Sequence, residues 1–205
     1  MRMREGQTGY TMRFRNAVTR SIVICCILVL SLGIGYVFDA VCRRADYNKH
    51  PRLYAEYVTE YAALYGVPEY IAYAVIKTES DFQSNYVSAD GNVGLMQLSE
   101  TTFRQLATMM KENTDSGILY DPETNVRYGI YYLSYLYTEY NRWNTVFAVF
   151  FAGRETVDAW MADPSLTDTL GNLTKIPDDA TADFVKRVTE NVELYKELYY
   201  IDNHA

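Results

Sequence analysis

The sequence predicts a mainly α-helical domain that follows one N-terminal apolar helix. Three observations carry this. Apolar residues recur at helical spacing through most of the chain beyond residue 50. No stretch has a strong period-2 alternation, and no internal repeat is visible. Ser21 to Phe38, "SIVICCILVLSLGIGYVF", runs without a charge, a length that suits a short membrane-spanning helix.

The apolar run comes first in the chain. Arg2, Arg4, Arg13, Arg15 and Arg20 precede it and only Glu5 opposes them, the pattern of an N-terminus kept in the cytoplasm. Arg43 and Arg44 on the far side weaken that asymmetry without reversing it. The best cleavage position, after Ala40, has Phe38 where a small residue is wanted. The expected organisation is therefore a cytoplasmic basic tail (1–20), an uncleaved anchor (21–38), a polar linker (39–50) and an extracytoplasmic domain (51–205). This makes the protein single-pass, with the membrane as one partner.

Charge divides at the anchor. Residues 1–44 sum to +5 and the remainder to −12. So acidic a domain lacks the basic footprint that nucleic acid requires. Cys25 and Cys26 lie in the anchor and Cys42 just beyond it, which leaves the domain without disulfide or thiolate chemistry. Aromatic residues make up 15% of the chain and tyrosine alone numbers 20. Most of these tyrosines are expected on buried helix faces, and a few on a binding groove.

Along the domain, Arg52–Gly66 reads as a helix stopped by glycine. A second helix restarts with Pro68 in its first turn and breaks at Glu79-Ser80. Ser99 caps a segment running to Met110. Residues 112–124 read as loop, and Asn125–Tyr140 as a helix with Val126, Ile130, Leu133 and Tyr137 on its inner stripe. Gly129 would allow a close helix contact. Asn144–Gly153 is apolar almost all round, so it is expected to be buried. A short helix over Val157–Met161, a loop over 162–180 and an amphipathic helix over Thr181–Tyr200 complete the chain.

The chemistry narrows by elimination. The domain has only His50 and His204, at opposite ends, and no cluster with metal-ligand spacing. No EF-hand loop, phosphate loop or Ser-His-Asp arrangement is present. No cofactor is expected. Carboxylates remain. Ile71, Val75 and Glu79 fall at i, i+4 and i+8 and share one helix face. Glu79 thus projects from an apolar stripe at a helix C-terminus. Both features raise its pKa. A carboxyl group still protonated near neutral pH is what glycosidic cleavage needs, because the leaving oxygen must receive a proton. A solvated Glu at a helix end is the plain alternative.

The stretch from Ala74 to Leu98 resembles the catalytic core of the soluble lytic transglycosylases, which have a goose-type-lysozyme-like fold. The resemblance rests on Glu79-Ser80, Ser88-Ala89-Asp90-Gly91 and Gly94-Leu95-Met96-Gln97. Downstream, "DPETNVRYGIYYLSYL", "AVFFAG…VDAW" and "IPDDATADFVKRV" follow the family's order, so that it covers about Leu53 to Tyr199. It implies a lysozyme-like fold, peptidoglycan as substrate and cleavage between N-acetylmuramic acid and N-acetylglucosamine. It also implies a 1,6-anhydro product formed by attack of the muramyl 6-hydroxyl, so a second carboxylate is not required. Glu79 would be general acid, then base. Ser80, Ser88, Gln97, Phe150, Phe151 and Phe184 would line the substrate cleft, with Met96 and Leu98 packed beneath.

The pattern also departs from the family. Phe150 and Phe151 stand where Tyr-Asn is expected, Ala180 where Glu is, and Phe184 where Tyr is. Each swap removes a polar group expected near the cleft floor. Two other readings stay open: a hydrolytic muramidase in which Asp81 or Asp90 activates water, and a non-catalytic wall-binding scaffold. Cell-envelope machinery for growth, sporulation, secretion or conjugation would each supply partners for a tethered wall enzyme.

Overall fold

The computed structural model describes residues 6–112 and 115–201, with side chains from residue 19 onward. The chain divides into two units, Met1–Lys49 and His50–Ala205.

The first unit is one helix, α1 (Gly6–Lys49). Its segment from Thr19 is long and apolar enough to cross a membrane. The eighteen uncharged residues from Ser21 alone rise about 27 Å, and Ile24, Leu28, Leu32 and Phe38 are all exposed. The expected polar linker is helical as far as Lys49. The physical reason is local: residues 39–49 contain no Gly or Pro, and Arg43 pairs with Asp39 one turn before it at 3.4 Å. Pro51 then disfavours helix at the residue preceding it.

The second unit holds α2 (Ala55–Tyr65), α3 (Glu69–Ser80), α4 (Glu100–Met110), a 3₁₀ turn (Ser116–Tyr120), α5 (Pro122–Tyr140), α6 (Trp143–Ala152), α7 (Arg154–Met161) and α8 (Asp179–Tyr199). Among the described residues the only extended pairings are isolated bridges, Val87 to Val93, Val93 to Leu98 and Thr167 to Leu173. Caps explain most boundaries. Gly66 takes φ +70 and closes α2. The Ser99 hydroxyl accepts from Thr102 N at 3.0 Å and opens α4. α5 begins at Pro122 rather than Asn125, because Asp121 accepts from Thr124 N at 2.9 Å and Pro122 suits the first turn. Asp178 caps α8 in the same way through Thr181 N.

α3 is the central rod. Ile71 through Ile76 are all buried, since α3 packs against both α2 and α8 while α6 joins α8 and α5. Val126, Ile130 and Leu133 lie in the core, but Tyr137 is 36% exposed and stacks on Trp143 at 4.3 Å. The helical stripe turns toward the surface there, and the Tyr137 ring lies against the partly buried Trp143. α6 is buried from Thr145 to Val149 only. Its last turn opens outward, leaving Phe150 half-buried and Phe151 45% exposed. That opening is one wall of the site described next.

Candidate active site

Glu79 occupies the last turn of α3. Below it on the same face, Ile71 and Val75 are buried. Burial pushes the Glu79 carboxyl up to about 8, and the Arg187 guanidinium pulls weakly the other way. Its carboxyl takes no hydrogen bond from a described residue, so the Arg187 charge is what favours its charged form.

The chain reverses directly after Glu79. Asp81 and Phe82 both adopt the left-handed backbone region, at φ +49 and +64. Two consecutive non-glycine residues there are uncommon, and they turn the loop back across the helix end. The loop is then tied down from within. Ser80 Oγ shares its one proton between Leu95 O at 2.8 Å and Ile76 O at 3.2 Å. Gly94 N donates to Tyr86 O at 2.9 Å, and Val93 and Leu98 exchange backbone bonds. Gln97, at φ +49, donates from Nε2 to Gly94 O at 2.7 Å and to Tyr86 O at 3.0 Å. Its Oε1 is buried without a hydrogen-bond partner.

A single side chain from α5 organises the apolar block. Asn125 is fully buried. Its Oδ1 accepts from Met96 N at 2.8 Å, while Nδ2 donates to Val93 O and Leu119 O. Gly94 is needed on two counts: its φ is +82, and a Cβ would run into the Asn125 amide. Gly129 makes room for Met96 in the same manner, so the expected close contact at Gly129 is made by the loop rather than by another helix.

These elements enclose a cavity of about 380 Å³ lined by Thr78, Glu79, Tyr86, Ser88, Asp90, Asn92, Gln97, Phe150, Phe151, Phe184 and Arg187. One wall is the polar loop, where Ser88 Oγ accepts from Asn92 N at 3.1 Å. The other is aromatic: Phe151 stacks on Phe184 at 4.6 Å, and Phe150 leans on Tyr132 at 5.4 Å. Tyr132 also borders a wider groove of about 1180 Å³ between α4, α5 and residues 152–158.

Glu79, Ser88, Gln97, Phe150, Phe151 and Phe184 are thus brought together as the sequence suggests. Ser80 is not: it is buried, and both bonds of its hydroxyl hold the loop to the helix end. Ala180 lies exposed in the first turn of α8, and the ring beside Phe151 is Phe184. Of the two aspartates weighed as water activators, Asp90 lines the cavity, whereas Asp81 is exposed and pairs with Lys77. Sequence reading passed over Thr78, Tyr86, Asn92, Asn125 and Arg187. Arg187 had a usable signal, since it lies three residues after Phe184 and so shares its helix face. Among the described residues no group of His, Cys, Asp and Glu is placed to hold a metal ion.

Fold and site define a lysozyme-like helical domain organised about one desolvated carboxyl group. Residues 56–169 match the family model of the transglycosylase SLT domain, and the chain belongs to that family. It is 29% identical to the soluble lytic murein transglycosylase of Escherichia coli over 69% of this chain and 22% of the relative. It is 34% identical to the membrane-bound lytic murein transglycosylase C of Yersinia pestis over 45% of this chain and 27% of the relative. Among solved structures, an inactive Glu-to-Gln mutant of a lytic transglycosylase from Pseudomonas aeruginosa superposes with a TM-score of 0.65 at 25% identity, covering 72% of this chain and 24% of that one. The chain therefore spans about a quarter of the length of these relatives.

Proposed function

We propose that this chain is a membrane-anchored lytic transglycosylase acting on peptidoglycan, with Glu79 as its acid and base. The observation that carries the reading is a carboxyl held protonated up to about pH 8 inside a cavity. The inactive Glu-to-Gln mutant of the Pseudomonas relative supports it.

The proposed steps are two. Glu79 donates its proton to the leaving O4 of N-acetylglucosamine as the bond to C1 of N-acetylmuramic acid breaks. The resulting carboxylate then accepts the proton of the muramyl 6-hydroxyl, whose oxygen closes on C1. The product is a 1,6-anhydro end. No water is consumed, and Glu79 ends in the state in which it began. One group serving both steps suits a carboxyl that lies near its own pKa at working pH.

The test is release of anhydromuropeptides from purified sacculi, compared between the wild type and Glu79→Gln. Equal release by a folded variant removes Glu79 from the mechanism. Asp90 in the same cavity supports a second reading, in which it activates water and the domain is an inverting hydrolase. Mass spectrometry separates the two, because hydrolysis gives reducing ends. Sacculus binding without any release favours a wall-binding scaffold. The anchor part of the proposal places residues 21–38 in the membrane and the domain outside. Protease added to intact protoplasts then removes the domain, and full protection overturns that topology.

A further inference from the structure

The cavity lining contains a cation that the proposed acid–base steps do not use. Among its described residues Arg187 is the one basic side chain, and it shares the lining with Glu79, Asp90 and the Phe151–Phe184 pair. It is paired from one side. Arg187 Nε donates to Asp183 Oδ2 at 3.0 Å, one helical turn earlier on α8. That bond uses the inner edge of the guanidinium. The two terminal nitrogens have no hydrogen-bond partner among the described residues, and they form the fork that receives carboxylates in pairs. A guanidinium kept only for pairing on the surface would not need to border the cavity. The setting is otherwise hostile to anions, because residues 45–205 carry a net charge of −12. An anionic ligand entering this cleft therefore has a single lining cation to meet.

We propose that Arg187 is a specificity-determining residue that receives a carboxylate borne by the muramyl sugar. This rests on the peptidoglycan reading above. Muramic acid differs from glucosamine by a lactyl ether, whose carboxyl group is free when no peptide stem is attached and is an amide when one is. A stem contributes carboxylates of its own, farther from the ring. The chemistry shared by both sources is a carboxylate within reach of the sugar next to the scissile bond. The lactyl group, being closest to the ring, is the source that a lining residue beside Glu79 meets first.

The experiment measures equilibrium binding to the full chain in detergent at pH 7, using the Glu79→Gln background so that no ligand is consumed. Three glycan preparations are compared: stem-free strands with free lactyl carboxylates, the same strands with those carboxylates converted to methylamides, and strands with intact stems. Arg187 is then replaced in that background by Gln, which keeps hydrogen bonding without charge, and by Lys, which keeps charge without the fork. The expected result is that free lactyl strands bind about 10-fold more tightly than the methylamides, as for a hydrogen bond to a charged group. Arg187→Gln abolishes that ratio and Arg187→Lys retains part of it. Preference for intact stems over both stem-free forms, again lost in Arg187→Gln, assigns the carboxylate to the stem. A ratio unchanged by Arg187→Gln, or no preference in the starting protein, overturns the proposal. The bridge to Asp183 is solvent-exposed and contributes little to stability, so both variants fold. Release of anhydromuropeptides by the unmodified chain is scored separately and tests the peptidoglycan reading alone.

Discussion

The two walls of the Glu79 cavity are built on opposite plans. The loop wall, from Ser80 to Leu98, is polar, yet most of its polar atoms serve the loop itself. Ser80 holds Leu95, Ser88 holds Asn92, and the Gln97 amide holds Tyr86 and Gly94. The helix wall offers Phe150, Phe151, Phe184 and the Arg187 guanidinium, and spends almost none of them on local bonding. The loop has no repeating backbone bonds of its own, so its side chains and Asn125 from α5 supply the hydrogen bonds that hold it. The helices are already satisfied by their backbones, so their side chains are free to face a ligand. The loop wall also carries the residues that match the family pattern, and the helix wall carries the departures.

Four expectations test this division, from the largest effect to the smallest. In the proposed reaction Glu79 is the acid and base, and it belongs to neither wall. Glu79→Gln is expected to lower release of anhydromuropeptides by about 10⁴-fold or more, the upper end for general acid–base help, because one group serves two steps. In the wild type, release should fall as pH rises through about 8, where the proton leaves Glu79. A rate flat from pH 5 to pH 9 contradicts this.

If the loop wall is mainly architecture, its buried tie should matter to stability. Asn125→Ala deletes three hydrogen bonds and strands the backbone groups of Met96, Val93 and Leu119. A loss of about 2–4 kcal/mol is expected by denaturant unfolding. A loss below about 1 kcal/mol would mean that the loop is held elsewhere.

The third concerns the protonated acid in the folded state. Its carboxyl is raised from 4.5 to about 8, so between those values the folded protein holds a proton that the unfolded chain releases. Wild-type stability therefore declines as pH rises across that window. Glu79→Gln escapes the penalty and should be more stable than the wild type at pH 9 by about 1–3 kcal/mol, with little difference at pH 4. Parallel melting curves for the two proteins across this range would sink the idea.

The fourth probes the helix wall. Phe151→Asn restores the family's polar group at a half-exposed site. It should cost no more than about 1.5 kcal/mol, the range of one aromatic pair, and should raise turnover. Ala180→Glu, at an exposed first turn, should be neutral to the fold. A lower melting temperature with unchanged turnover would mean that the ring is there for packing alone.

Much of this was legible in the sequence because it depends on near neighbours. The ends of α2 and α4 follow from Gly66 and Ser99. The placing of Glu79 on an apolar stripe follows from the helical repeat, since Val75 and Ile71 are one and two turns away. The charge-free run from Ser21 to Phe38 needs only counting. Family order added the grouping of Ser88, Gln97, Phe150, Phe151 and Phe184. Two local readings failed. α1 runs through residues 39–49, which looked like a polar tether, because nothing in them breaks the helix, and Tyr137 lies partly exposed against Trp143 instead of on the inner stripe.

The sequence by itself determined the helical class, the candidate acid and the apolar segment near the N-terminus, because periodicity and charge act over a few residues. Only the tertiary structure decided which polar groups face the cavity and which are consumed inside it. Ser80 turns inward to a carbonyl fifteen residues away, Asn125 crosses from α5 to hold the loop, and Arg187 arrives from α8, more than a hundred residues after Glu79. The reason is that a hydrogen bond or a shared cavity depends on distance in space. Residue order fixes that distance within one helix, and between helices packing alone sets it.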